Sequence, residues 1–370
     1  MKKFLREYIP FVYGVLVRIK SLFNLVSNSK YYISSASYFP EMADRRLSKL
    51  GILWRQVKHI LIYGYPTDFF FLYGLDIKDF HNDSDYVDYA EFMRRRDYMN
   101  RLSLDVPICI LRNKFLFGIV AKALHIPTPN NIGIIEYDRL YLLDQHVYTD
   151  LKKYVLLNTV DVFMKSINGE CADGVYHVIF DKGNILIDDV KSSYDELLDI
   201  TKRGKFIIQE KIKQGKALSA LHPDSINTIR VETVYNKKEN KIEILPPLLR
   251  VGTGKHNVDN WAVGGLAIGI DVEKGCLRNY GFYKPTYGTK AYVHPDTNVV
   301  FEGYDIPYLS DAIELAKRFH SYFTDIHSIG WDIAITEDGP CFVEGNDNWE
   351  ISLVQVCSRG LTPEFKRLFY

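Results

Sequence analysis

The sequence lacks the features by which several classes of protein are recognised. Its five cysteines are scattered, with no CxxC pair and no metal-type cluster, and an odd count of this kind suits a reducing cytosol. Lysine and arginine number 46, as do aspartate and glutamate, and this balance argues against a nucleic-acid partner. No apolar run approaches the roughly 20 residues of a membrane-spanning helix. We therefore expect a cytoplasmic protein that binds no nucleic acid.

Residues 1–30 are basic and apolar, yet they do not have the pattern of a signal peptide. Arg6, Glu7, Arg18 and Lys20 interrupt the apolar stretches, and no small-residue cleavage site follows them. The segment is typical of a basic amphipathic helix. Such a helix packs on its own domain, lies peripherally on a membrane, or docks a partner such as a glycosyltransferase, and the sequence leaves these alternatives open.

The chain divides into a mostly helical region, residues 1–105, and two regions rich in short strands, residues 106–215 and 216–370. The apolar patterns predict strands at 160–165, 175–180, 185–190, 206–212, 228–235, 241–252 and 261–271. They predict helices at 89–102, near 193–202 and at 308–323. We interpret Arg94, Arg95 and Arg96 first as ordinary surface charges and second as a site for an anionic substrate. The fold class is therefore α+β with antiparallel strands prominent, and not a doubly wound Rossmann pattern.

The stretch GWDIAITEDGPCFVEGN, residues 330–346, predicts a β-hairpin. Residues 337–339 form its three-residue loop, with glycine in the position that needs a left-handed conformation. Counting back from this loop places Ala334 opposite Phe342. The same register brings two acidic side chains together farther along the hairpin.

Asp332 is predicted to lie opposite Glu344, with Asn346 on the face of Glu344. Like charges directly opposed across a strand pair are destabilising. Mg²⁺ between them removes the repulsion, because this ion prefers oxygen ligands and is usually held by one or two carboxylates plus substrate phosphates. The three side chains are candidate metal ligands, and a solvated hairpin face is the alternative.

Two lysines occupy positions that suit the binding of an anion. Lys165 ends an apolar strand and is followed by a loop that contains Ser166, Gly169 and Gly174. Glycines let backbone N–H groups approach a phosphate, and a lysine supplies a point charge. Lys114 precedes a predicted helix. The pattern GxxxxGK[ST] is absent, so a plain surface hairpin and a surface lysine remain the alternatives.

The predicted strand FIIQEKI ends in Gln209, Glu210, Lys211 and Ile212. Backbone groups at the end of such a strand are able to pair with the edge of an adenine ring, although the sequence alone does not show this. We therefore treat these four residues as candidates for nucleotide binding.

Two arginines lie in or beside apolar strands. Arg230 alternates with Glu232 and shares its face, and an arginine in such a strand needs an anionic partner or a polar cavity. A salt bridge with Glu232 or Asp224 and a role in ligand binding are both open. Arg250 begins the polar, glycine-rich stretch 250–265, which has the length of a substrate loop and of an ordinary connection.

The order of these features resembles the ATP-grasp superfamily: lysine before a helix, lysine with a glycine-rich flap, a strand ending in QEKI, an arginine strand, then Asp…Glu-x-Asn. The blocks SINTIRVETV, RVGTGKHNVDNWAVGGLAIGID, HPDTN and GWDIAITEDGPCFVEGN look like the sugar-transfer-associated ATP-grasp family of bacterial surface-polysaccharide gene clusters. The likeness covers about residues 105–358. It implies two α+β subdomains that grip ATP, with residues 106–215 as the N-terminal and flap part and residues 216–370 as the metal and substrate part.

The resemblance also implies a role for each candidate residue. Lys114 and Lys165 hold the nucleotide phosphates, and the flap 166–175 closes over them. Glu210 and the backbone through Ile212 meet the adenine. The remaining polar residues act on the reacting groups: Arg230 stabilises the transferred phosphoryl group, Arg250 assists it, and Asp332, Glu344 and Asn346 bind Mg²⁺, with Mn²⁺ as a substitute. No residue matches the acid that contacts the ribose.

The activity that the resemblance implies is ATP-dependent ligation of a carboxylate to an amine through an acyl phosphate. The small-molecule substrates are an amino acid or amine and a carboxylated sugar or its precursor. The resemblance leaves two alternatives: a phosphotransferase that acts on a sugar hydroxyl, and a nucleotide-binding scaffold that organises glycosyltransferases at a membrane.

Overall fold

The computed structural model describes residues 10–102, 107–169, 174–254 and 259–370. The α-helices are α1 (Pro10–Ser27), α2 (Ser29–Tyr32), α3 (Lys49–Tyr63), α4 (Tyr89–Asn100), α5 (Cys109–Arg112), α6 (Lys114–Ala123), α7 (Leu151–Leu157), α8 (Tyr194–Thr201), α9 (Lys216–Leu221), α10 (Leu309–Ser321), α11 (Ile351–Cys357) and α12 (Thr362–Phe369). Short 3-10 helices lie at Pro40–Arg45, Asp83–Asp85 and Trp261–Val263. Within the described ranges, no helix combines the length and the apolar character needed to cross a bilayer.

The first sheet has eight strands in the order β3-β2-β1-β8-β4-β5-β6-β7, and the described neighbours are antiparallel. Its strands are β1 (Asn131–Glu136), β2 (Arg139–Leu142), β3 (Val147–Asp150), β4 (Thr159–Ser166), β5 (Val175–Asp181), β6 (Asn184–Ile187), β7 (Val190–Ser192) and β8 (Lys205–Glu210). Apolar residues of β1, β4 and β8 pack under α7 and α8, because those short helices bury Leu151, Val155 and Leu197 against them. The opposite ends of β4 and β8 lead to the candidate flap and to the connection between sheets.

The second sheet follows the order β14-β13-β12-β11-β9-β15-β16, with β10 paired to β9. Its strands are β9 (Thr228–Asn236), β10 (Lys241–Ile244), β11 (Leu248–Val251), β12 (Leu266–Asp271), β13 (Cys276–Tyr283), β14 (Lys290–Ala291), β15 (Ser328–Thr336) and β16 (Gly339–Asn346). The central strand β9 lies between β11 and β15, which sets its polar residues beside those of both neighbours. Arg230 on β9 is thus directly opposite Asp332 on β15.

The two faces of the second sheet bury different elements. On one face α10 places Phe319 over Trp331, with the ring centroids 4.8 Å apart. On the other face the N-terminal region packs with α11 and α12, and Phe92 of α4 lies 4.6 Å from Trp349 between ring centroids. The polar groups of the candidate site lie on this second face, so the N-terminal region forms part of their surroundings.

Two of the predicted strands are broken in the structure, and a third, 261–271, is shorter because its first residues, Trp261–Val263, form a 3-10 helix. The stretch 185–190 forms a tight turn at Asp188 and Asp189, whose φ angles are 49° and 64°, so β6 and β7 make a hairpin instead of one strand. The stretch 241–252 is interrupted at Pro246 and Pro247, because proline has no N–H to donate to a ladder. Residues that favour turns lie at both interruptions.

Arg96 corrects a second expectation, that Arg94, Arg95 and Arg96 are surface charges. Arg96 is only 2% exposed, and its guanidinium donates to the Trp349 carbonyl oxygen and to Asp97. The helix α4 is anchored again at Asn100, whose amide nitrogen donates to the Ser328 and Asp347 carbonyl oxygens at 3.2 and 3.0 Å. The N-terminal region is therefore fastened to the ends of β15 and β16.

Candidate active site

In the hairpin β15–β16, Asp332 is paired with Glu344 as predicted, but the turn and the register near it differ from the prediction. Its turn has two residues, since Thr336 pairs with Gly339, and Gly339 has a φ of 121°. The predicted pairing of Ala334 with Phe342 is wrong, because Ala334 lies opposite Cys341. A β-bulge between Asp332 and Ile333 then shifts the register by one residue. The shorter turn and the bulge cancel, which brings the two carboxylates face to face.

Asp332 is held by arginine in this structure. It is 1% exposed, and Arg230 donates to both of its oxygens, from Nε to Oδ1 at 2.6 Å and from a terminal nitrogen to Oδ2 at 3.0 Å. The sequence left open a salt bridge of Arg230 with Glu232 or Asp224, and the structure gives Asp332 as the partner instead. Paired guanidinium and carboxylate groups offset the cost of burial for one another.

Arg250 reaches the same carboxylate from β11. Its terminal nitrogens lie 3.5 Å from Asp332 Oδ2 and 2.7 Å from Asp259 Oδ1. Asp259 also accepts a hydrogen bond from the Thr228 backbone nitrogen at 2.9 Å. Asp259 was missed in the sequence, because its role depends on the path of the loop that follows β11 and no spacing rule predicts that path. The result is a network of alternating basic and acidic groups on the neighbouring strands β11, β9 and β15 and the residues that follow β11.

The ionisation of the opposed carboxylates is unequal. Burial raises the pKa of Glu344, and the nearby Asp332 carboxylate raises it further. Burial also opposes ionisation of Asp332, but Arg230 and Arg250 outweigh it and lower the pKa of Asp332. Asp332 therefore ionises more readily than Glu344 in this pair.

Asp332, Glu344 and Asn346 provide the oxygen ligands that Mg²⁺ prefers. The Asn346 amide nitrogen donates to Asp332 Oδ2 at 3.3 Å and to Glu344 Oε1 at 3.2 Å. A half-turn of this amide exchanges its nitrogen for its oxygen and places an amide oxygen beside the two carboxylates. Among the described residues no group of three or more His, Cys, Asp or Glu side chains is arranged to hold a metal ion. Two carboxylates and one amide oxygen are a donor set of the kind that holds Mg²⁺ together with ligand phosphates.

Lys165 approaches this acidic hairpin from β4 of the first sheet, and Lys114 approaches it from the first turn of α6. Burial lowers the pKa of Lys165 to about 8, Glu344 opposes that change, and Lys114 adds to it. Lys114 also acts on Glu344, whose pKa it lowers. Its Nζ donates to the Gly169 carbonyl oxygen at 2.6 Å. The two lysines, one on β4 and one on α6, thus lie within electrostatic reach of a carboxylate of the second sheet.

The described ends of the candidate flap lie beside Lys165. The Ser166 backbone nitrogen donates to the Gly174 carbonyl oxygen at 2.7 Å. Gly174 has a φ of 70°, and a Cβ there would lie 2.9 Å from the Ser166 Cβ, so the close approach requires glycine. Gly169 follows in the same turn. Residues 170–173 of the predicted flap lie outside the described residues, as do residues 1–9 of the N-terminal segment.

The predicted strand 206–212 is shorter in the structure, because β8 ends at Glu210 and Lys211 and Ile212 follow it. Gln209 is 3% exposed, and its amide nitrogen donates to Asn131 Oδ1 at 2.8 Å. The Glu210 backbone nitrogen donates to the Asn130 carbonyl oxygen at 3.0 Å. Lys211 lies 3.4 Å from Asp161. The ladder bonds stop here, so this is where the chain leaves the first sheet.

Two further groups near the arginines were not singled out from the sequence as site residues. Glu232 is 1% exposed, and burial raises its pKa to about 8, so this carboxyl is largely protonated at neutral pH. Arg112 donates to both oxygens of Asp347, at 2.9 and 2.7 Å, and ties α5 to the end of the hairpin. Arg112 and Asp347 are far apart in the sequence, so no local pattern indicates their pairing.

Among solved structures, the chain is similar to an ADP complex of N5-carboxyaminoimidazole ribonucleotide synthetase, with 10% identity and a TM-score of 0.35 over 64% of this chain and 45% of that one. It is similar to D-alanine-D-alanine ligase from Helicobacter pylori, with 14% identity and a TM-score of 0.38 over 70% and 58% of the two chains. It is also similar to D-alanyl-alanine synthetase A from Vibrio cholerae, with 12% identity and a TM-score of 0.39 over 70% of this chain and 64% of that one.

The chain spans less than two thirds of the length of each of these three structures. A comparison with curated proteins found no match. A family model described as sugar-transfer associated ATP-grasp matches residues 93–368, which is most of the chain and includes both sheets. The protein therefore belongs to the sugar-transfer associated ATP-grasp family and has an α+β, ATP-grasp fold with a helical N-terminal region.

Proposed function

We propose that the protein is an ATP- and Mg²⁺-dependent ligase that joins a carboxylate to an amine through an acyl phosphate. The observation that carries this proposal is the meeting of Lys165 of the first sheet and Lys114 of α6 with Glu344 and Asp332 of the second sheet. Two lysines near two carboxylates suit a nucleotide triphosphate that is bound with a divalent ion.

The first sheet and the start of α6 bind the nucleotide in this proposal. Lys114 and Lys165 bind phosphate oxygens as point charges, and the backbone around Ser166, Gly169 and Gly174 covers them. A partly buried lysine such as Lys165 loses some of its hydration in the free protein, so an anionic ligand restores a favourable environment for its charge. Residues 209–212 meet the adenine where the ladder of β8 ends and backbone groups become available.

Asp332, Glu344 and Asn346 hold Mg²⁺ in the proposed site, and Mn²⁺ is a chemically similar substitute. The ion supplies positive charge to the terminal phosphates, which lowers the repulsion that a nucleophile meets. Asp332 is kept ionised by Arg230 and Arg250 and is ready to bind a cation. Glu344 gives up its proton more easily once a positive ligand is next to it.

The reaction itself needs positioning and charge stabilisation more than a protein nucleophile. A carboxylate is a poor electrophile, so its oxygen attacks the terminal phosphate of ATP to give an acyl phosphate and ADP. Arg230, with Arg250 beside it, stabilises the negative charge on the transferred phosphoryl group. An amine then attacks the acyl carbon, which forms an amide and releases phosphate. The proposed acceptor is a carboxylated sugar or its precursor, and the proposed amine is an amino acid.

The test is a measurement of ADP and free phosphate with carboxylate and amine supplied singly and together. The proposal predicts that ADP and phosphate are released in equal amounts only when both are present. Release of ADP with a phosphorylated product and no free phosphate would show a phosphotransferase instead. Binding of ATP without turnover in any mixture of carboxylated sugars and amines would favour a scaffold.

A further inference from the structure

The outward face of α1 carries a stripe of exposed apolar side chains. Phe11, Val15, Ile19, Phe23 and Val26 are all exposed, Phe11 by 82% and Phe23 by 71%. At 3.6 residues per turn they fall within about 120° of the helix circumference. Scattered exposed apolar residues are common on protein surfaces, but a continuous stripe of them marks an interaction surface.

Hydrogen bonds fix the rotation of α1 so that this stripe points away from the protein. Arg18 donates from Nε to the Leu61 carbonyl oxygen at 2.9 Å and from a terminal nitrogen to that of Ile62 at 3.2 Å. Ser21 donates to the Gly64 carbonyl oxygen at 2.7 Å. These are carbonyl groups at the C-terminal end of α3, which have no partner within their own helix. The helix α1 is therefore docked by its polar face.

The helix α3 extends the same apolar character. Leu50, Trp54 and Leu61 are 78%, 66% and 55% exposed and lie on one side of α3, because positions i, i+4 and i+11 share a helix face. Leu61 is also a residue whose carbonyl Arg18 binds, so the two stripes adjoin at this end of α3. We call the exposed residues of α1 and α3 together the two-helix surface.

The two-helix surface has charge of one sign only. Neither Pro10–Ser27 nor Lys49–Tyr63 contains an aspartate or a glutamate. Lys20, Lys49 and Lys58 are exposed on these helices. The whole chain has 46 basic and 46 acidic residues, so its aspartates and glutamates all lie outside these two helices. A surface that combines apolar side chains with lysine and lacks acids is complementary to a layer that is apolar inside and anionic outside.

We propose that the two-helix surface binds peripherally to a lipid bilayer that contains anionic lipid. The aromatic and aliphatic side chains enter the boundary between headgroups and acyl chains, and the lysines face the lipid phosphates. A second copy of this chain is a poorer occupant, because pairing the surface with itself would bring lysines together without acids. The proposal is independent of the ligase activity, since none of these residues lies in the candidate active site.

The test is sedimentation of the full chain with vesicles. One set is made of phosphatidylcholine alone, and the other of equal parts phosphatidylcholine and phosphatidylglycerol. We expect the protein to sediment with the anionic vesicles, and the bound fraction to fall as salt rises because lipid charge is screened. A protein that stays in the supernatant with the anionic vesicles, or binds both kinds equally, would overturn the proposal.

Two variants assign the binding to this surface. Phe23→Glu should weaken binding to the anionic vesicles about tenfold or more, and Lys20→Glu should weaken it less and reduce its salt dependence. Leu157→Glu is the matched control, because Leu157 is 67% exposed on α7 and outside the two-helix surface. It should bind as the unmodified protein does. All three side chains are exposed, so the substitutions should leave the fold intact. An unchanged melting temperature for each variant checks this.

Equal binding by Phe23→Glu and the unmodified protein would show that lipid contacts another part of the chain, and the proposal would fall. It would fall equally if the anionic vesicles bind no protein and Phe23→Glu instead dissociates a dimer seen in lipid-free solution by light scattering. That result would make the two-helix surface an interface between copies of the chain.

Discussion

Asp332 shows why part of the candidate site could be predicted from the sequence and part could not. Its position opposite Glu344 follows from strand alternation within one hairpin, so the sequence predicts it. Its pairing with Arg230 joins residues from strands that are 102 positions apart. Asp259, which binds Arg250, depends on the path of an irregular loop. Local periodicity therefore predicts which acids face each other but not which basic groups hold them.

Glu344→Gln tests the proposed metal site at the level of one side chain. The amide keeps the shape of the carboxylate but loses the charge that a divalent ion requires, so Mg²⁺-dependent ADP release should fall at least about a hundredfold. The fold should be retained, because glutamine has nearly the same size and shape as glutamate. Steady-state ADP release and thermal melting measure the two effects.

Asp338→Asn is the control for that variant. Asp338 lies in the exposed turn of the same hairpin, away from Asp332, so its replacement should leave ADP release unchanged. If Glu344→Gln retains the turnover of the unmodified protein, Glu344 is not a metal ligand. If both variants lose activity, the hairpin fold and not the carboxylate is responsible.

At the scale of elements, apolar alternation located the strands well and their interruptions poorly. The strands β4, β5 and β9 match the predicted stretches to within a residue or two. The strand predictions missed two interruptions, because the apolar pattern continues on both sides of each. These are the turn at Asp188 and Asp189 and the break at Pro246 and Pro247. Turn chemistry outweighs a continuous apolar pattern at both positions.

Gly269→Ala tests the packing of α11 on β12. A Cβ at Gly269 would lie 2.1 Å from the Cys357 carbonyl oxygen, which is backbone and cannot turn aside as a side chain would. The helix must therefore shift, and we expect the free energy of unfolding to fall by about 1–3 kcal/mol. Urea denaturation measures it.

Gly204→Ala is the matched substitution. No heavy atom lies within 4 Å of a Cβ built at Gly204. Its φ is not in the left-handed region, so alanine should leave the free energy of unfolding unchanged or raise it by less than about 1 kcal/mol. Equal stability of the two variants would mean that α11 does not pack on β12 as closely as the structure shows.

At the scale of the whole molecule, the N-terminal region is joined to the second sheet more closely than the sequence predicts. We expected a helical extension, residues 1–105, next to two ATP-grasp parts, and those bounds stay a prediction. The structure buries Arg96 and Asn100 of α4 against the ends of β15 and β16. The family match starts at residue 93, inside α4. Single polar residues separated by more than 200 positions make these contacts, and no local pattern reveals them.

Buried histidines give the folded protein a pH dependence. Burial lowers the pKa of both His320 and His327 to about 4, compared with an ordinary value near 6.5. The unfolded chain therefore binds more protons than the folded one between those values, so stability falls as pH drops from about 6.5 towards 4. Each histidine contributes up to roughly 3 kcal/mol of that loss.

Thermal melting as a function of pH measures this effect. The His327 ring donates to the Leu368 carbonyl oxygen at 3.0 Å, and glutamine retains a donor there without titrating. The variant His327→Gln should show a shallower decline of melting temperature on acidification than the unmodified protein. An identical decline in the two proteins would show that His327 is not protonated on unfolding.

The account as a whole rests on a site in which ATP is bound by Lys114 and Lys165 and by a divalent ion that the second sheet holds. The most direct measurement is the affinity for ATP by calorimetry, with and without Mg²⁺, for the unmodified protein and for Lys165→Ala. We predict that ATP binds the unmodified protein more tightly with Mg²⁺, that Lys165→Ala weakens this binding, and that the difference shrinks as salt rises. An ATP affinity that is the same for both proteins and indifferent to Mg²⁺ would contradict the account.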